Sequence, residues 1–218
     1  MTSSGNIAAI VPAFNEARTI GNIVAGLLAY TPLVIVVDDL SSDDTAERAK
    51  RAGAVVVGNV YQRGYDGALN TGFAEAARRG TEVFFTFDAD GEHAAEDVPQ
   101  VLGPILKGVA DIVAGQRPYT THLSEKVFAL YTRLRYGVAD PLCGFKAYRR
   151  AVYDSVGHFD SVESIGTELM LKGIDQGYRL ALVPIKSCTR HEDTSRFYRR
   201  RFRANLKILK AMFSVIRA

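Results

Sequence analysis

Short apolar runs alternate with amphipathic stretches along most of this sequence, and this alternation limits the possible folds more than any other feature. The predicted strands are Ile7–Val11, Leu33–Val37, Ala54–Val57, Val83–Phe87, Asp111–Ala114 and Tyr178–Pro184. The predicted helices are Ile20–Ala29, Ala46–Ala52, Asp66–Arg79, Asp97–Lys107 and Thr167–Gln176. Strands and helices that alternate in this way build a mostly parallel sheet with helices on both faces. We therefore predict an α/β fold that binds its ligand beyond the carboxyl ends of the strands.

Length and composition predict one globular unit. A chain of 218 residues with 47% hydrophobic content can bury one substantial core. Its two cysteines, Cys143 and Cys188, have no paired spacing, so neither a disulfide framework nor a structural zinc site is expected, and a reducing compartment is favoured. The sequence shows no signal-peptide pattern and no apolar run of about 18 residues, so we expect a protein that is neither secreted nor membrane-spanning.

The basic residues are concentrated near the C-terminus. From Arg196 onward there are eight basic residues and no acidic one, so the net charge of +3 divides into +8 for this end and −5 for residues 1–195. We predict a domain over 1–196 and a basic amphipathic helix over 197–218. The apolar residues that fall on one face of this helix are Tyr198, Phe202, Leu206, Leu209, Phe213 and Ile216.

Two interpretations of this C-terminal helix remain open. Its apolar face can pack on the core with the charged face in water, or the helix can lie on anionic lipid or dock on a small membrane subunit. Nucleic acid is not an expected partner, because no recognised binding module accompanies the charge.

A pair of carboxylates follows the predicted strand Val83–Phe87. Asp88 and Asp90 are separated by one small residue, and residues i and i+2 point the same way from an extended backbone. Two carboxylates at such a short distance remain ionised together only when a cation lies between them. Oxygen ligands at an open position suit Mg²⁺ or Mn²⁺, which usually complete their coordination with phosphate oxygens. The pattern predicts a metal site that holds a phosphate ester, although isolated Asp-x-Asp pairs are also common as solvated turn residues.

Polar residues also follow the first two predicted strands, as Asn15-Glu16 and Asp38-Asp39. Because the carboxyl ends of parallel strands meet at one edge of a sheet, we expect these residues and the Asp88–Asp90 pair to face one crevice. No Gly-x-Gly-x-x-Gly follows the first strand and no Gly-x-x-x-x-Gly-Lys-Ser/Thr loop occurs. Dinucleotide dehydrogenases and P-loop nucleotide hydrolases are therefore disfavoured.

With these residues in view, the chain resembles the family 2 glycosyltransferases of the GT-A (Rossmann-like) fold. Within that family it is most similar to the dolichol-phosphate mannose synthases and other polyprenyl-phosphate glycosyltransferases. The resemblance covers Ile7 to Phe197 and rests on seven segments in the family's order: V-P-A-F-N-E from Val11, V-V-D-D-L-S-S-D-D-T from Val36, F-D-A-D-G-E-H from Phe87, G-Q-R from Gly115, D-P-L-C-G-F-K from Asp140, I-G-T-E-L-M-L-K-G from Ile165 and R-H-E-D-T-S-R from Arg190.

The resemblance implies roles for particular residues. Those implied to bind the nucleotide sugar are Pro12, Phe14, Glu16, Val37, Asp39, Asp88, Ala89, Asp90, Arg190 and Arg196. The implied metal ligands are Asp88, Asp90 and Glu92, and the implied catalytic residues are Asp90, Arg117, Asp140 and Glu168. Simpler interpretations exist for some of them: Glu16 and Asp39 can cap helices, Arg190 and Arg196 can belong to the basic end, and Glu168 can be a structural carboxylate.

The family further implies inverting transfer of a hexose from a GDP- or UDP-sugar to a polyprenyl phosphate, with the enzyme at the cytoplasmic face of a membrane. A hydroxyl acceptor is the alternative, and it would need Asp140 or Glu168 as a base. A phosphate acceptor needs no base, because its second pKa of about 6 leaves it ionised at neutral pH. The same motifs are also compatible with a nucleotidyltransferase or with a catalytically silent subunit that binds a sugar nucleotide. The chain departs from the family at Leu40, where a glycine is usual, and in a shorter segment between Arg117 and Asp140.

Overall fold

The structure is a computed structural model that describes residues 6–59, 64–118 and 123–186 together with positions 208, 210 and 212. Its strands are β1 (Ile7–Ala13), β2 (Leu33–Asp38), β3 (Val55–Gly58), β4 (Val83–Thr86), β5 (Ile112–Gln116), β6 (Lys146–Arg149) and β7 (Leu180–Pro184). In the described part of the chain they form one seven-stranded sheet in the order β3-β2-β1-β4-β6-β5-β7. Strand β6 is antiparallel to both neighbours, and the other pairs are parallel, which confirms the predicted mostly parallel sheet.

Helices cover both faces of the sheet. They are α1 (Ile20–Leu27), α2 (Thr45–Arg51), α3 (Tyr65–Arg78), α4 (Val98–Leu106, preceded by a 3₁₀ turn at Ala95–Asp97), α5 (Leu123–Tyr136), α6 (Arg150–Val156) and α7 (Glu168–Asp175). Alternate residues of β1 enter opposite cores: Ala9 packs on the side of α1, α2 and α4, and Ile10 packs on the side of α3, α6 and α7. A central parallel strand buried on both faces is expected to be apolar throughout, as β1 is.

Strand β1 continues two residues beyond its predicted end at Val11. Ile10 O accepts a hydrogen bond from Phe87 N on the β4 side, and Ala13 O accepts one from Asp39 N on the β2 side. Alternation along the strand therefore turns the nitrogen of Pro12 toward the β4 side, where β4 has already ended at Thr86. Pro12 lacks the N–H that would extend the ladder with β4, but pairing with β2 continues to Ala13, so proline does not end the strand.

Strand β6 and helices α5 and α6 were not among the predicted elements. The sequence of β6 is K-A-Y-R, and its Lys146 is buried although the residue type is normally solvated. It forms a strand because it fits between β4 and β5, where Tyr148 pairs with Phe84 on one side and Ile112 on the other. Burial supplied by distant segments, which local sequence does not report, decided this element.

The predicted C-terminal helix lies mostly outside the described residues. Its described positions 208, 210 and 212 are helical, and Ile208 and Met212 are buried against Phe128 of α5. Both residues lie beside the predicted apolar face and are not members of it. None of the helices in the described part of the chain has the length and hydropathy of a membrane-spanning segment.

Candidate active site

The carboxyl ends of β1, β2 and β4 meet at one edge of the sheet. Asp39 N, just after β2, donates to Ala13 O at the end of β1 over 2.9 Å. Thr19 Oγ1, in the turn after β1, donates to Ala89 O over 2.6 Å and so joins that turn to the segment after β4. Ala89 itself is buried, and its carbonyl rather than its side chain makes this contact. The three polar segments predicted to face one crevice are held together by these hydrogen bonds.

The residues predicted to bind the base and ribose lie on the first two of these segments. Phe14 is 40% exposed, and Pro12 and Glu16 are half-buried. Glu16 N donates to Thr45 Oγ1 over 2.8 Å, so the turn after β1 is tied to the start of α2. This hydrogen bond fixes the backbone there, beside the partly exposed side chain of Phe14.

Asp39 joins two segments that flank positions 60–63. Its Oδ1 accepts a hydrogen bond from Asn59 Nδ2 over 2.7 Å, and its Oδ2 accepts one from Gly64 N over 2.9 Å. Both carboxylate oxygens therefore have partners within the protein. A contact of Asp39 with ribose or base stays a prediction, and it would use the remaining lone pairs of these oxygens.

Val37 in β2 and Leu40 in the turn after it are the next two positions that the resemblance singled out. Val37, implied to bind the nucleotide sugar, is fully buried in the core cluster of Ile10 and Phe73, so its side chain faces away from the crevice. Leu40 has φ of 62° and a 52% exposed side chain. Left-handed backbone costs an L-residue roughly 1–2 kcal/mol relative to glycine. This position thus has the conformation that the family's glycine suits, and leucine adopts it here with strain.

Asp88 lies at the centre of the edge. A Cβ added at Gly144 would be 1.9 Å from Asp88 Oδ2, so the backbone of Gly144 lies directly against this carboxylate. Thr86 Oγ1 holds that backbone by donating to Gly144 O over 2.6 Å. On another side, His93 Nε2 lies 3.2 Å from Asp88 Oδ2. The carboxylate is therefore confined by contacts from two separate segments, those of Gly144 and His93.

The charge on Asp88 is stabilised although the side chain is partly buried. Burial alone would raise the pKa of the Asp88 carboxyl, but the hydrogen bond and charge of His93 bring it below its usual range. Burial lowers the pKa of His93, but the hydrogen bond and charge of Asp88 outweigh this effect and raise it. Tyr65 lies beside the same carboxylate, and burial followed by the charge of Asp88 raises the pKa of its phenol. This region of the site favours an ionised Asp88.

The donor atoms at this edge fit a hard divalent cation. Asp88 Oδ1 is buried and has no hydrogen-bond partner among the described residues. Buried carboxylate oxygens are rarely left unpartnered in proteins, and a cation with oxygen preference would complete this one. Asp90 Oδ1 accepts a hydrogen bond from Glu92 N over 3.0 Å, which keeps Asp90 on the same turn. The carboxylate oxygens of Asp88 and Asp90 are the donor type that suits Mg²⁺ or Mn²⁺, and joint binding of such an ion with phosphate oxygens stays a prediction.

Glu92 does not complete a preformed cluster with the two aspartates. Among the described residues, no group of three His, Cys, Asp or Glu side chains converges as a metal site. The backbone N–H of Glu92 donates a hydrogen bond to Asp90. A metal held here would take its remaining ligands from the substrate and from water, as is usual for Mg²⁺.

Arg117 and Asp140 form a bidentate ion pair. Arg117 Nε and Nη2 donate to the two carboxylate oxygens of Asp140, each over 2.8 Å, and Arg117 N donates to Asp140 Oδ2 over 3.2 Å. Asp140 is 3% exposed. The pair joins the end of β5 to the loop before β6, and the charge of Arg117 reaches His93 beside Asp88. The Asp140 carboxylate is committed to the guanidinium in this arrangement.

Glu168 lies in a network of its own at the start of α7. Its carboxylate contacts Lys172 Nζ at 2.6 Å and His158 Nε2 at 3.0 Å, and it accepts hydrogen bonds from Ser161 N and Ser161 Oγ. Burial raises the pKa of Glu168, but these partners outweigh it and lower the pKa to about 2. A carboxylate with so low a pKa is a weak proton acceptor near neutral pH. The geometry favours the structural role for Glu168.

Several residues at the site carried no predicted role. Gly144, Thr86 and Tyr65 contact or support Asp88, and Lys146 is buried close by. His93 and Gly144 stood inside recognised segments, and the F-D-A-D-G-E-H segment was the one signal that could have drawn attention to His93. Nothing local marked Tyr65, since its neighbours at the site come from other parts of the chain. Arg190 and Arg196 lie outside the described residues.

The chain matches a protein-family model and is similar to individual known proteins along most of its sequence. The model of the family described as Glycosyl transferase family 2 matches residues 8–157. The polyprenol monophosphomannose synthase of Mycolicibacterium smegmatis is 29% identical over 230 aligned positions, covering 94% of this chain and 84% of the relative. The undecaprenyl-phosphate mannosyltransferase of Micrococcus luteus is 29% identical, covering 81% of each protein.

The solved structures show the same fold at lower identity. Glucosyl-3-phosphoglycerate synthase from Mycobacterium tuberculosis, in complex with phosphoglyceric acid, superposes with a TM-score of 0.77 at 20% identity, covering 97% of this chain and 80% of that one. The same enzyme in complex with Mn²⁺, UDP-glucose and phosphoglyceric acid superposes with a TM-score of 0.73. At this identity the likeness establishes the GT-A arrangement of the chain.

Proposed function

The chain belongs to Glycosyl transferase family 2, and on that basis we propose that it transfers a hexose from a GDP- or UDP-sugar to a polyprenyl phosphate with inversion at the anomeric carbon. The two relatives described above are named as a polyprenol monophosphomannose synthase and an undecaprenyl-phosphate mannosyltransferase, and both names include a polyprenyl phosphate. Mg²⁺ or Mn²⁺ is the proposed cofactor, and Asp88 and Asp90 are its proposed ligands.

One observation carries the choice of acceptor: both candidate bases are already committed. Asp140 is paired with Arg117 through both oxygens, and Glu168 contacts Lys172, His158 and Ser161. A hydroxyl acceptor needs a carboxylate that can take its proton, whereas a phosphate monoester is already anionic at neutral pH. The site is better matched to an acceptor that brings its own negative oxygen.

The residues of the chain have separable proposed tasks. A bound divalent ion would neutralise charge that develops on the leaving nucleoside diphosphate. Arg117, oriented by Asp140, would add fixed positive charge beside that position. Phe14 and Asp39 would bind the nucleoside, and Arg190 and Arg196 would meet phosphate oxygens of donor or acceptor. These roles are proposals from the resemblance and the placement of each residue.

Helix α5 supports action at a membrane surface. Its side chains Val127, Leu130 and Leu134 are 44%, 59% and 80% exposed and lie on one face at helical spacing. Exposed Lys126 and Arg133 flank this apolar stripe. An apolar stripe bordered by basic residues complements the interface of an anionic bilayer, where a polyprenyl phosphate resides. We therefore propose peripheral contact with the cytoplasmic face of a membrane through α5, with the C-terminal helix as a further candidate.

Purified protein with Mn²⁺ or Mg²⁺ should convert one GDP- or UDP-sugar and a short polyprenyl phosphate into lipid-linked sugar. Asp88→Asn and Asp90→Ala should abolish the product. Asp154→Asn, which alters an exposed pair with Arg150, is the matched control and should leave the rate unchanged. If the protein turns over a donor but forms no lipid-linked sugar with any of the GDP- and UDP-sugars tested, the proposed acceptor is refuted.

A hydroxyl acceptor is the second candidate, since the solved neighbours include an enzyme crystallised with phosphoglyceric acid and UDP-glucose. Glu168→Gln separates the two candidates. Transfer to a polyprenyl phosphate should survive this change, whereas a hydroxyl acceptor that depends on Glu168 should lose about 10²-fold or more in rate. Asp140→Asn does not separate the two candidates, because the loss of its carboxylate also releases Arg117 and should slow transfer to either acceptor.

A further inference from the structure

The loop before α7 contains three left-handed residues within four positions. The φ angles are 57° at Glu163, 56° at Ile165 and 70° at Gly166. Glycine adopts this region freely, but a β-branched residue there is a genuine outlier, because its Cβ substituents crowd the backbone. Such strain persists only where surrounding contacts hold the backbone, and it concentrates at functional sites. The contacts that hold this loop therefore indicate what it does.

From inside the protein, two charged side chains hold the peptide groups of Gly166. Its N–H donates to Asp66 Oδ1 over 2.8 Å. Its carbonyl accepts a hydrogen bond from Lys146 Nζ over 3.0 Å, and Lys146 is 2% exposed. Burial lowers the pKa of Lys146, while Asp140 and Asp88 oppose that shift, so the ammonium lies within the field of both site carboxylates. One end of the loop is thus bound to groups beneath the candidate active site.

From outside, the C-terminal residues hold the other end of the loop. The Ile165 side chain packs against the cluster formed by Phe128, Ile208 and Met212. Lys210 Nζ lies 2.8 Å from Glu163 Oε2. Of the two left-handed residues that carry side chains, Glu163 therefore contacts Lys210 directly, and Ile165 packs on the cluster to which Ile208 and Met212 belong. Removal of these contacts would leave the strain of Ile165 with less to offset it.

The loop reaches Asp88 by two short routes. A Cβ at Gly166 would lie 3.2 Å from Tyr65 Cε1, and the Tyr65 phenol lies beside the Asp88 carboxylate. Lys146 follows Gly144 by two residues, and Gly144 lies against the same carboxylate. A shift of Gly166 would therefore move or release groups on two sides of Asp88. Packed interiors transmit such shifts because they contain few voids.

We propose that the loop Glu163–Gly166 is a positioning element for Asp88, and that docking of Ile208, Lys210 and Met212 keeps it in its left-handed form. The C-terminal segment would then set the affinity of the site for a nucleoside diphosphate with a divalent ion. This inference rests on the proposed function, because it assumes that Asp88 faces such a ligand. By reciprocity, ligand at Asp88 must strengthen docking of the C-terminal residues by the same factor.

Calorimetric titration of UDP and GDP, each with Mn²⁺, into the full chain tests the first half of the inference. The double variant Ile208→Ala/Met212→Ala should bind the better nucleotide about tenfold more weakly, within the usual range of coupling between sites. Leu106→Ala/Val109→Ala, which truncates two exposed side chains remote from the loop, is the control and should bind within twofold of the unmodified chain. Equal affinity in a folded Ile208→Ala/Met212→Ala variant would overturn the inference.

Amide hydrogen exchange on the unmodified chain tests the reciprocal half. Mn²⁺ with the bound nucleotide should slow exchange in peptides that span 160–168 and in those that span 205–214. Binding without any change in the C-terminal peptides would overturn the inference, and this measurement decides it if the double variant does not fold. Failure of both nucleotides to bind the unmodified chain would instead refute the proposed function, which separates the two failures.

Discussion

Gly144 and Asp88 are in direct contact, with no room for a side chain between them. A methyl group at position 144 would lie 1.9 Å from Asp88 Oδ2 and 2.6 Å from its Cγ. Distances this short cannot exist, so any residue other than glycine must displace the carboxylate. The contact makes a glycine of the loop before β6 part of the geometry of Asp88, the proposed metal ligand.

We expect Gly144→Ala to lower transferase activity by about 10²-fold, since a displacement of about 1 Å at a reacting centre has that effect. It should also destabilise the fold by about 1–3 kcal/mol through overpacking. Activity assays and thermal melts measure the two effects. The control is Gly103→Ala in α4, where an added Cβ meets nothing within 4 Å. That change should preserve activity and stabilise the helix by about 0.5–1 kcal/mol. Full activity in Gly144→Ala would contradict the assignment of Asp88.

Tyr148→Phe should stabilise the protein. The Tyr148 hydroxyl is buried and has no hydrogen-bond partner among the described residues. A buried polar group without a partner costs about 1–3 kcal/mol, so its removal should raise the free energy of unfolding by about 1 kcal/mol and the Tm by about 2–4 °C. Tyr178→Phe is the matched comparison, because the Tyr178 hydroxyl donates to Ala151 O over 3.1 Å. That variant should show no gain, and a lower Tm for Tyr148→Phe would mean that the hydroxyl has a partner.

Acid should destabilise the fold partly through Glu168. Its pKa is lowered to about 2 in the folded protein from an ordinary value of 4.5. A carboxyl group whose pKa is lowered by folding stabilises the folded protein at pH values above its pKa in the unfolded chain. That contribution is lost as the pH falls from about 4.5 to about 2. The loss is on the order of 3 kcal/mol. Urea unfolding at several pH values should show a shallower decline for Glu168→Gln than for the unmodified chain. Parallel pH profiles for the two proteins would rule out this contribution.

Substitutions on α5 should weaken binding to anionic vesicles. Burial of one leucine side chain contributes about 1.5–3 kcal/mol, so Leu130→Glu or Leu134→Glu should reduce vesicle partitioning by about tenfold or more. Nucleotide binding without lipid should be unchanged. Val109→Glu, at a residue that is 62% exposed outside α5, is the control. Sedimentation with vesicles that contain phosphatidylglycerol measures the effect, and equal partitioning of all variants would show that α5 is not the contact surface.

Local sequence was sufficient for the order of most strands and helices and for the position of the paired aspartates. Asp88 and Asp90 follow β4 because an apolar strand ends there, and that pattern is visible within eight residues. The segments after β1 and β2 were likewise predicted to reach the same edge, since parallel strands place their carboxyl ends together. Boundaries shifted where a neighbouring strand stopped early, as at Pro12.

The surroundings of these carboxylates were decided by tertiary structure. Lysine is a residue type usually found at the surface, yet Lys146 lies in β6 between β4 and β5. It is buried there and donates a hydrogen bond to the carbonyl oxygen of Gly166. Glu168 was equally compatible with a base or a structural carboxylate until His158, Ser161 and Lys172 were seen around it. Periodicity reports which residues share a face of one element, whereas hydrogen-bond partners, desolvation and close backbone contacts depend on segments that are distant in the chain. The sequence by itself determined the mostly parallel sheet and the paired carboxylates at its edge. Only the packing of distant segments decided which charges there are neutralised and which carboxylate oxygen has no hydrogen-bond partner among the described residues.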